Sequence, residues 1–401
     1  MNVIVNAGLR KSVNKIIVLT ALLGLGGVAW SAAKPVFGAA ALILDLTGQQ
    51  PKLRSWLPVK SQPVTTRDLD VPTRHGAIQA RLFEPVESRG TLAIFPGVHG
   101  GGVEEPRMNA LARQFAANGL RVLIAPLPEL RRYTIKPRST DDIEDVAGWL
   151  ASQPDLAPSG RIGLVGVSFS GGLALVAAGR PSLAGKLDMV AAMGTHGDLP
   201  RAMKYLVTGV LPDGTPQPVH DYGSVVILLA GVHHFVPADQ VEPLRQAITT
   251  FLDASSFDVT DPPKSAQLFE DARRLGNALP EPAREVMGWV NRRDVNTLGP
   301  KLLPYLEELG GAAALSPERS PVTTAPVFLI HGSHDNVIPY TETPILAEYL
   351  RAHGNARVTS LLTPLISHAN VQGPGQNAPP WGDVWRLTRF WASMLRVLSA
   401  S

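Results

Sequence analysis

The feature that most constrains the fold is an alternation of short apolar runs with helical stretches, which begins at Thr91 and resumes after a long interval at Val327. The apolar runs have the length of buried strands: Thr91–Phe95, Arg121–Ala125, Arg161–Val167, Asp188–Met193, Val327–Ile330 and Arg357–Leu362. The helical stretches lie between or after them: Asn109–Asn118, Ser139–Ala151, Gly171–Ala178, 342–353 and Val384–Leu398. This alternation predicts a mostly parallel sheet with helices on both faces.

The pattern is interrupted once. Residues 201–321 have helical periodicity and few strand-like runs, so we expect a helical insertion between two strands of the sheet. Before the alternation starts, Val64–Val71 and Ala77–Glu84 are β-type runs joined by a turn at residues 74–76. The predicted core domain therefore consists of residues 64–200 and 322–401.

The amino-terminal segment has the pattern of an export signal. Basic residues precede an uncharged run over residues 16–33, which is about the minimum length for a membrane-spanning helix. The small residues Ser31 and Ala33 favour cleavage after Ala33, whereas the apolar patch at Val36–Leu46 favours a retained anchor. Both remain open, as does a buried helix of a cytoplasmic protein. Residues 1–46 are predicted as signal or anchor, and residues 47–63, rich in proline and glycine, as a linker.

Composition excludes several classes of site. The 401 residues include no cysteine, which rules out disulfides, thiolate metal sites and a cysteine nucleophile. Hydrophobic residues make up 45% and charged residues 18% of the chain, as in an ordinary globular protein. A net charge of +3 gives no reason to expect nucleic acid as a partner.

One strand-to-helix junction has the composition of a nucleophilic serine turn. Ser168 follows an apolar strand and precedes a helix of small residues, with Gly166 and Ser170 two positions away on either side. Small side chains are needed there because the turn brings two backbones close together. The amino terminus of the following helix favours negative charge. Ser170 is a rival nucleophile with similar spacing, and a tight turn without chemistry is the alternative.

A serine nucleophile needs a base and an acid that orients it. Asp335 follows the strand Val327–Ile330, and His368 follows the strand Arg357–Leu362. The carboxyl ends of parallel strands meet at one edge of a sheet, where ligands bind. Ser168, His368 and Asp335 are thus expected to meet there as nucleophile, base and acid. Asp198 is a competing acid, since it too follows a strand.

A glycine-rich loop follows the strand Thr91–Phe95. Its sequence, His99-Gly100-Gly101-Gly102, lets the backbone approach a substrate closely. We expect the amides of Gly100 or Gly101, together with that of Phe169, to bind the oxyanion of a tetrahedral intermediate. His99 and Ser170 are candidate substrate contacts. The loop lacks the endings of a phosphate-binding or dinucleotide-binding motif.

With these residues the chain resembles the α/β-hydrolase superfamily, in particular dienelactone-hydrolase-type and small esterase domains. The resemblance covers about residues 64–200 and 322–400. It implies an α/β fold with an eight-stranded, mostly parallel sheet, and a helical lid inserted between strands 6 and 7. It also implies a serine hydrolase with no metal and no organic cofactor. Ser170 departs from the pattern, which most often has glycine at that position.

The expected activity is cleavage of a carboxylic ester, on a small-molecule or lipid-like substrate. The same three side chains could serve an amide or thioester hydrolase or an acyltransferase. A non-catalytic binding protein with the same fold is the alternative from another class. The amino-terminal segment predicts an exported protein, either periplasmic or secreted after cleavage or held at the membrane with its catalytic domain outside.

Overall fold

The computed structural model describes residues 33–45, 51–258, 260–367, 370–371 and 381–398. Eight strands form one sheet: β1 Val64–Thr73, β2 Gly76–Pro85, β3 Thr91–Phe95, β4 Arg121–Ile124, β5 Ile162–Val167, β6 Leu187–Met193, β7 Val327–Gly332 and β8 Val358–Thr363. Their order is β1-β2-β4-β3-β5-β6-β7-β8, with β1 and β2 antiparallel and β3 to β8 parallel. The predicted α/β fold with an eight-stranded, mostly parallel sheet is confirmed.

Side chains of the buried strands alternate between two hydrophobic cores because successive residues of a strand point to opposite faces. In β3, Ala93 and Phe95 belong to one core, and Leu92 and Ile94 to the other. The two cores explain why these strands are apolar throughout rather than alternating with polar residues.

The helices outside the insertion cover both faces. They are α1 (residues 33–45), α2 Pro51–Trp56, α3 Pro106–Ala117, α4 Pro128–Arg131, α5 Pro137–Ala151, α6 Phe169–Ala178, α14 Glu342–Ala352 and α15 Trp381–Leu398. One face is covered mainly by α5, α6 and the insertion, and the other by α1, α3 and α15. A two-residue strand pair, β9 Ile366–Ser367 and β10 Asn370–Val371, follows β8.

The insertion lies between β6 and β7 and is helical, as predicted. Its helices are α7 Leu199–Thr208, α8 Asp221–Ala230, α9 Ala238–Phe257, α10 Pro262–Ala278, α11 Ala283–Asn291, α12 Val295–Leu302 and α13 Leu306–Gly310. An ion-pair network joins its two ends to the core domain. Arg201 of α7 bonds to Glu318, near the end of the insertion, and to Glu342 of α14, in each case at 2.7 Å.

The predicted signal or anchor lies mostly outside the described residues, which begin at residue 33. Helix α1 packs on the core domain, with Ala39 and Leu42 fully buried and Gly38 against Leu395 of α15. Part of the predicted linker forms α2, where Arg54 pairs with Asp45 at 2.9 Å. Within the described ranges, none of the helices is long and apolar enough to cross a lipid bilayer.

Candidate active site

Ser168 lies at the tip of the turn between β5 and α6, in a strained backbone conformation with φ 60° and ψ −132°. A residue with a Cβ in such a region costs of order 1–3 kcal/mol and persists only where its surroundings impose it. Here the Ser168 N–H donates to the Met193 carbonyl at 2.7 Å, and the Ser168 carbonyl accepts from the Gly171 N–H at 3.0 Å. The side chain is 6% exposed, at the carboxyl end of the parallel strands.

The glycines around the turn are required by close backbone contacts. A Cβ at Gly166 would lie 2.5 Å from the Cα of Gly171, nearer than real Cβ atoms come. A Cβ at Gly97, in the loop after β3, would lie 2.8 Å from the Cβ of Ser168. These contacts are the steric reason why the turn that holds Ser168 needs residues without a side chain at these positions.

Ser170, the rival nucleophile, is fully buried and engaged with the backbone. Its Oγ accepts from the Val167 N–H at 2.9 Å and lies 2.5 Å from the Phe95 carbonyl oxygen. The hydroxyl joins the ends of β3 and β5 and does not point to the surface. This geometry favours Ser168 as the nucleophile.

Asp335 follows β7 and is 1% exposed. Its Oδ1 accepts from the N–H groups of Val337 at 2.8 Å and Ile338 at 3.1 Å. Its Oδ2 lies 3.2 Å from Nε2 of His331, which is fully buried. The two amide donors stabilise a buried carboxylate in its charged form and fix its orientation.

Asp198, the competing acid, has two other roles. Its Oδ1 caps helix α7 by accepting from the Arg201 N–H at 2.9 Å. Its Oδ2 pairs with Arg319 at 2.6 Å. Both oxygens therefore hold the insertion in place, which favours Asp335 over Asp198 as the acid of the site.

His368, the predicted base, lies outside the described residues. The flanking strands β9 and β10 pair with each other, Ser367 opposite Asn370. Strand β9 contacts β7, the strand that leads to Asp335. The assignment of His368 stays a prediction.

The glycine-rich loop is held by two side chains, those of His99 within the loop and of Tyr133 outside it. Nδ1 of His99 accepts from the Gly101 N–H at 3.0 Å, and burial lowers the pKa of His99 below its ordinary value. Gly100 packs against Tyr133, whose hydroxyl donates to Asp253 of α9 at 2.6 Å. Burial, aided by the Asp253 carboxylate, raises the pKa of Tyr133.

The loop residues that lie beside Ser168 precede Gly100 and Gly101, the positions expected from the sequence. Gly97 and Val98 line a cavity of about 80 Å³ together with Ser168 and Met108. Neither the Val98 N–H nor the Phe169 N–H has an acceptor among the residues that the structure describes. Gly97 and Val98 belong to the same loop, but the run of three glycines favoured the Gly100 and Gly101 amides in the prediction. The signal for the earlier position is Pro96-Gly97, which directly follows a buried strand and marks the point where the backbone turns.

Two larger clefts lie elsewhere. One, of about 860 Å³, is at the opposite edge of the sheet, lined by Arg161, Asp188 and Val358, and so is far from the serine turn. The other, of about 670 Å³, lies between the α4 segment and α9, and is lined in part by Gly100, Tyr133 and Arg245. The second cleft borders the same loop as the cavity beside Ser168 and is lined by the exposed cations Arg131, Arg132 and Lys136.

No family model matches the chain, and no curated protein matches it by sequence. Solved structures are similar in fold. An esterase of the archaeon Pyrobaculum calidifontis is 17% identical with a TM-score of 0.46, over 89% of this chain and 90% of that one. A thermostable carboxylesterase from a metagenomic library is 16% identical with a TM-score of 0.44, over 90% and 97%. Carboxyl esterase 2 of Tuber melanosporum is 13% identical with a TM-score of 0.47, over 84% and 86%.

The fold is defined by the chain's own topology. An antiparallel hairpin pairs with a six-stranded parallel sheet, the strand order crosses over between β3 and β4, and a strained serine turn follows the fifth strand. By these features the chain has the α/β-hydrolase fold.

Proposed function

We propose that the protein hydrolyses carboxylic esters with Ser168 as nucleophile. The single observation that carries the proposal is the conformation of Ser168. A non-glycine residue is held at φ 60° at the carboxyl edge of a parallel sheet, with a helix amino terminus directly behind it. The side-chain contacts that join the ends of β3 and β5 are made by the Ser170 hydroxyl and not by that of Ser168. Backbone strain of this kind is typical of functional sites. The conformation of Ser168 is the expected arrangement for a hydroxyl that must reach a substrate.

In the proposed reaction the Ser168 oxygen attacks the acyl carbon while His368 accepts its proton. Collapse of the tetrahedral intermediate breaks the bond to the alcohol, which leaves with the proton from His368. Water then attacks the acyl-enzyme, again with His368 as base, and the acid and free Ser168 are regenerated. Asp335 orients His368 and stabilises its cation; its buried carboxylate, which accepts from two backbone N–H groups and lies beside the His331 ring, suits that role.

We propose that the amides of Phe169 and Val98 bind the oxyanion, the latter in place of the Gly100 and Gly101 amides expected from sequence. Support comes from the cavity beside Ser168, which Val98 lines, and from the Gly101 N–H, which is taken by His99. Removing one oxyanion donor typically costs about 3 kcal/mol of barrier.

The insertion is proposed to act as a lid over this edge of the sheet. Two of its helices lie against the loop after β3. The Tyr222 hydroxyl of α8 donates to the Val98 carbonyl at 3.2 Å, and Asp253 of α9 lies beside Gly100 and accepts from Tyr133. Such contacts would exclude water from the acyl group and shape the pocket. The amino-terminal basic residues and uncharged run support the further proposal that this domain is exported.

The test uses the Ser168→Ala variant, with Ser170→Ala as matched control in the same turn. We expect kcat on a p-nitrophenyl ester to fall by about 10⁴-fold or more in Ser168→Ala. A fluorophosphonate probe is expected to label the unmodified protein and the Ser170→Ala variant, and not Ser168→Ala. Thermal melting checks that each variant is folded.

Three results would overturn the proposal. If Ser168→Ala kept full turnover, Ser168 would not be the nucleophile. If labelling were lost only in Ser170→Ala, Ser170 would be the nucleophile instead. No labelling of the folded, unmodified protein would favour a non-catalytic binding protein. If labelling succeeds, a panel of esters, thioesters and amides identifies the bond that is cleaved.

A further inference from the structure

Two histidines and a glutamate of the insertion converge on its surface, away from the serine turn. His233 and His234 lie on the short 3-10 helix Val232–His234 between α8 and α9, and Glu308 lies on α13. The Nε2 atom of His234 is 2.9 Å from Oε1 of Glu308, and that of His233 is 3.6 Å from the same oxygen. One ligand atom from each of the three residues lies within 4.8 Å of the others.

These separations suit a shared metal ion. Ligands of tetrahedral zinc lie about 2.0–2.2 Å from the metal, so neighbouring ligand atoms are about 3.3 Å apart. The two distances to Glu308 bracket that value. Two imidazole nitrogens and one carboxylate oxygen form a ligand set typical of transition metals, and one that magnesium and calcium do not favour.

The scaffold holds the side chains in this arrangement without an ion. The ring of His234 stacks on Tyr305 with 3.9 Å between centroids and 10° between planes. The His233 ring lies 4.0 Å from that of His234. Gly231, at the start of the 3-10 helix, packs near Leu309, which follows Glu308. The ring stacking and the contact between Gly231 and Leu309 restrict the ligand side chains in advance. These side chains therefore lose less conformational entropy when they bind a metal.

We propose that His233, His234 and Glu308 bind one divalent transition-metal ion, with zinc as the best fit. His233 and Glu308 are about half exposed, so the ion has access from solvent and water can complete its coordination. The ion joins the α8–α9 connection to α13 across 74 residues of chain. Its role is to stabilise the insertion, because a cross-link that closes a long loop constrains the unfolded chain. It takes no part in the proposed hydrolysis.

The test measures zinc binding by the full chain, without affinity tag and after treatment with EDTA, against a competing chromophoric chelator. The absence of cysteine means that no thiolate competes for zinc. We expect one saturable equivalent. The variants His234→Gln and Glu308→Gln should weaken binding by at least about tenfold. The matched control is His353→Gln, since His353 is an exposed histidine that also stacks on a tyrosine, at 3.9 Å from Tyr349.

Thermal melting gives an independent readout, since a ligand that binds only the folded state raises Tm. Zinc should raise the Tm of the unmodified protein and of His353→Gln, and not that of His234→Gln; magnesium should raise none. Because the three ligand side chains lie at the surface, their variants are expected to fold, which circular dichroism checks. Absence of saturable zinc binding, or equal binding by all variants, would show that the cluster is only an ion pair and would overturn the proposal.

Discussion

Asp335 is held by more than the two amides that follow it. His331, four residues earlier on β7, is fully buried and places Nε2 3.2 Å from the second carboxylate oxygen. Its Nδ1 lies 2.8 Å from the Thr343 hydroxyl, and Nε2 is also 3.1 Å from the Ile338 carbonyl, so Nε2 carries the hydrogen. His331 is therefore positioned to orient the acid of the proposed triad.

The variant His331→Leu removes this polar contact with the carboxylate. A polar contact of this kind contributes about 0.5–1.5 kcal/mol, so we expect kcat to fall by roughly 2–10-fold with little change in KM. The His331→Gln variant keeps an N–H near the same position and should recover part of the loss. Steady-state kinetics of both variants provide the measurement, with Tm as a check on folding. Equal kcat in the leucine variant and the unmodified protein would show that His331 only fills space.

At this scale strand ends and turn glycines are local signals in the sequence, and in the structure Ser168 follows β5 and Asp335 follows β7. The catalytic roles of the two residues stay a prediction. The sequence could not distinguish which amides of the glycine-rich loop lie beside Ser168. That depends on the path of the loop, which is set by His99 and by Tyr133, a residue more than thirty positions away.

The bounds of the core strands and helices could be predicted to within a few residues. The largest errors are in the first residues of the helices. Strand β3 has the bounds expected, Thr91–Phe95. Helix α3 begins at Pro106 rather than Asn109, because Glu105 caps it through the Met108 N–H. Helix α5 begins at Pro137 rather than Ser139, and the Ser139 hydroxyl has no partner within the described residues. A proline suits the first helical position, because the N–H that it lacks would have no partner inside the helix.

The serine turn as an element depends on Gly166. The substitution Gly166→Ala would place a Cβ 2.5 Å from two backbone atoms, and neither can move without opening the turn. We expect a loss of at least about 2 kcal/mol in the free energy of unfolding and a loss of ester turnover. The control is Gly148→Ala in α5, where a Cβ meets nothing within 4 Å and should stabilise the protein by about 0.5–1 kcal/mol. Denaturant unfolding measures both, and a Gly166→Ala variant as stable as the unmodified protein would contradict the steric argument.

For the molecule as a whole, the sequence predicted an insertion over residues 201–321 but not what fixes it to the core. The answer is the network of Arg201 with Glu318 and Glu342, whose members are separated by 117 and 141 residues. Glu342 is fully buried and also accepts from the Gly197 N–H at 2.8 Å. Pairing over such distances leaves no periodic pattern in the sequence, which is why the attachment could not be predicted.

The same junction contains a buried titratable group that should make the stability of the molecule pH-dependent. His196 is fully buried, and its Nε2 donates to the Leu315 carbonyl at 2.8 Å. Burial lowers the pKa of His196, and the nearby Arg201 lowers it further. The hydrogen bond to Leu315 and the carboxylates of Glu342 and Asp198 raise the pKa and oppose this shift in part. The neutral form is therefore the one that fits the fold.

A histidine with a lowered pKa in the folded state stays neutral there while the unfolded chain, with an ordinary pKa of about 6.5, takes up a proton. The unfolded state then binds more protons, so the free energy of unfolding falls as pH decreases below about 6.5. The acidic groups with lowered pKa values, such as Asp145, act in a more acidic range. Burial raises the pKa of Asp142, and this group is common to the two proteins compared below. We expect Tm to fall between about pH 7.5 and 5.5, and to fall less in His196→Gln, whose amide can still donate to Leu315 but does not titrate. Desolvation also lowers the pKa of His99, which contributes with the same sign. His99 is present in both proteins, so the difference between the two profiles isolates His196. Parallel profiles for the two proteins would show that His196 does not contribute.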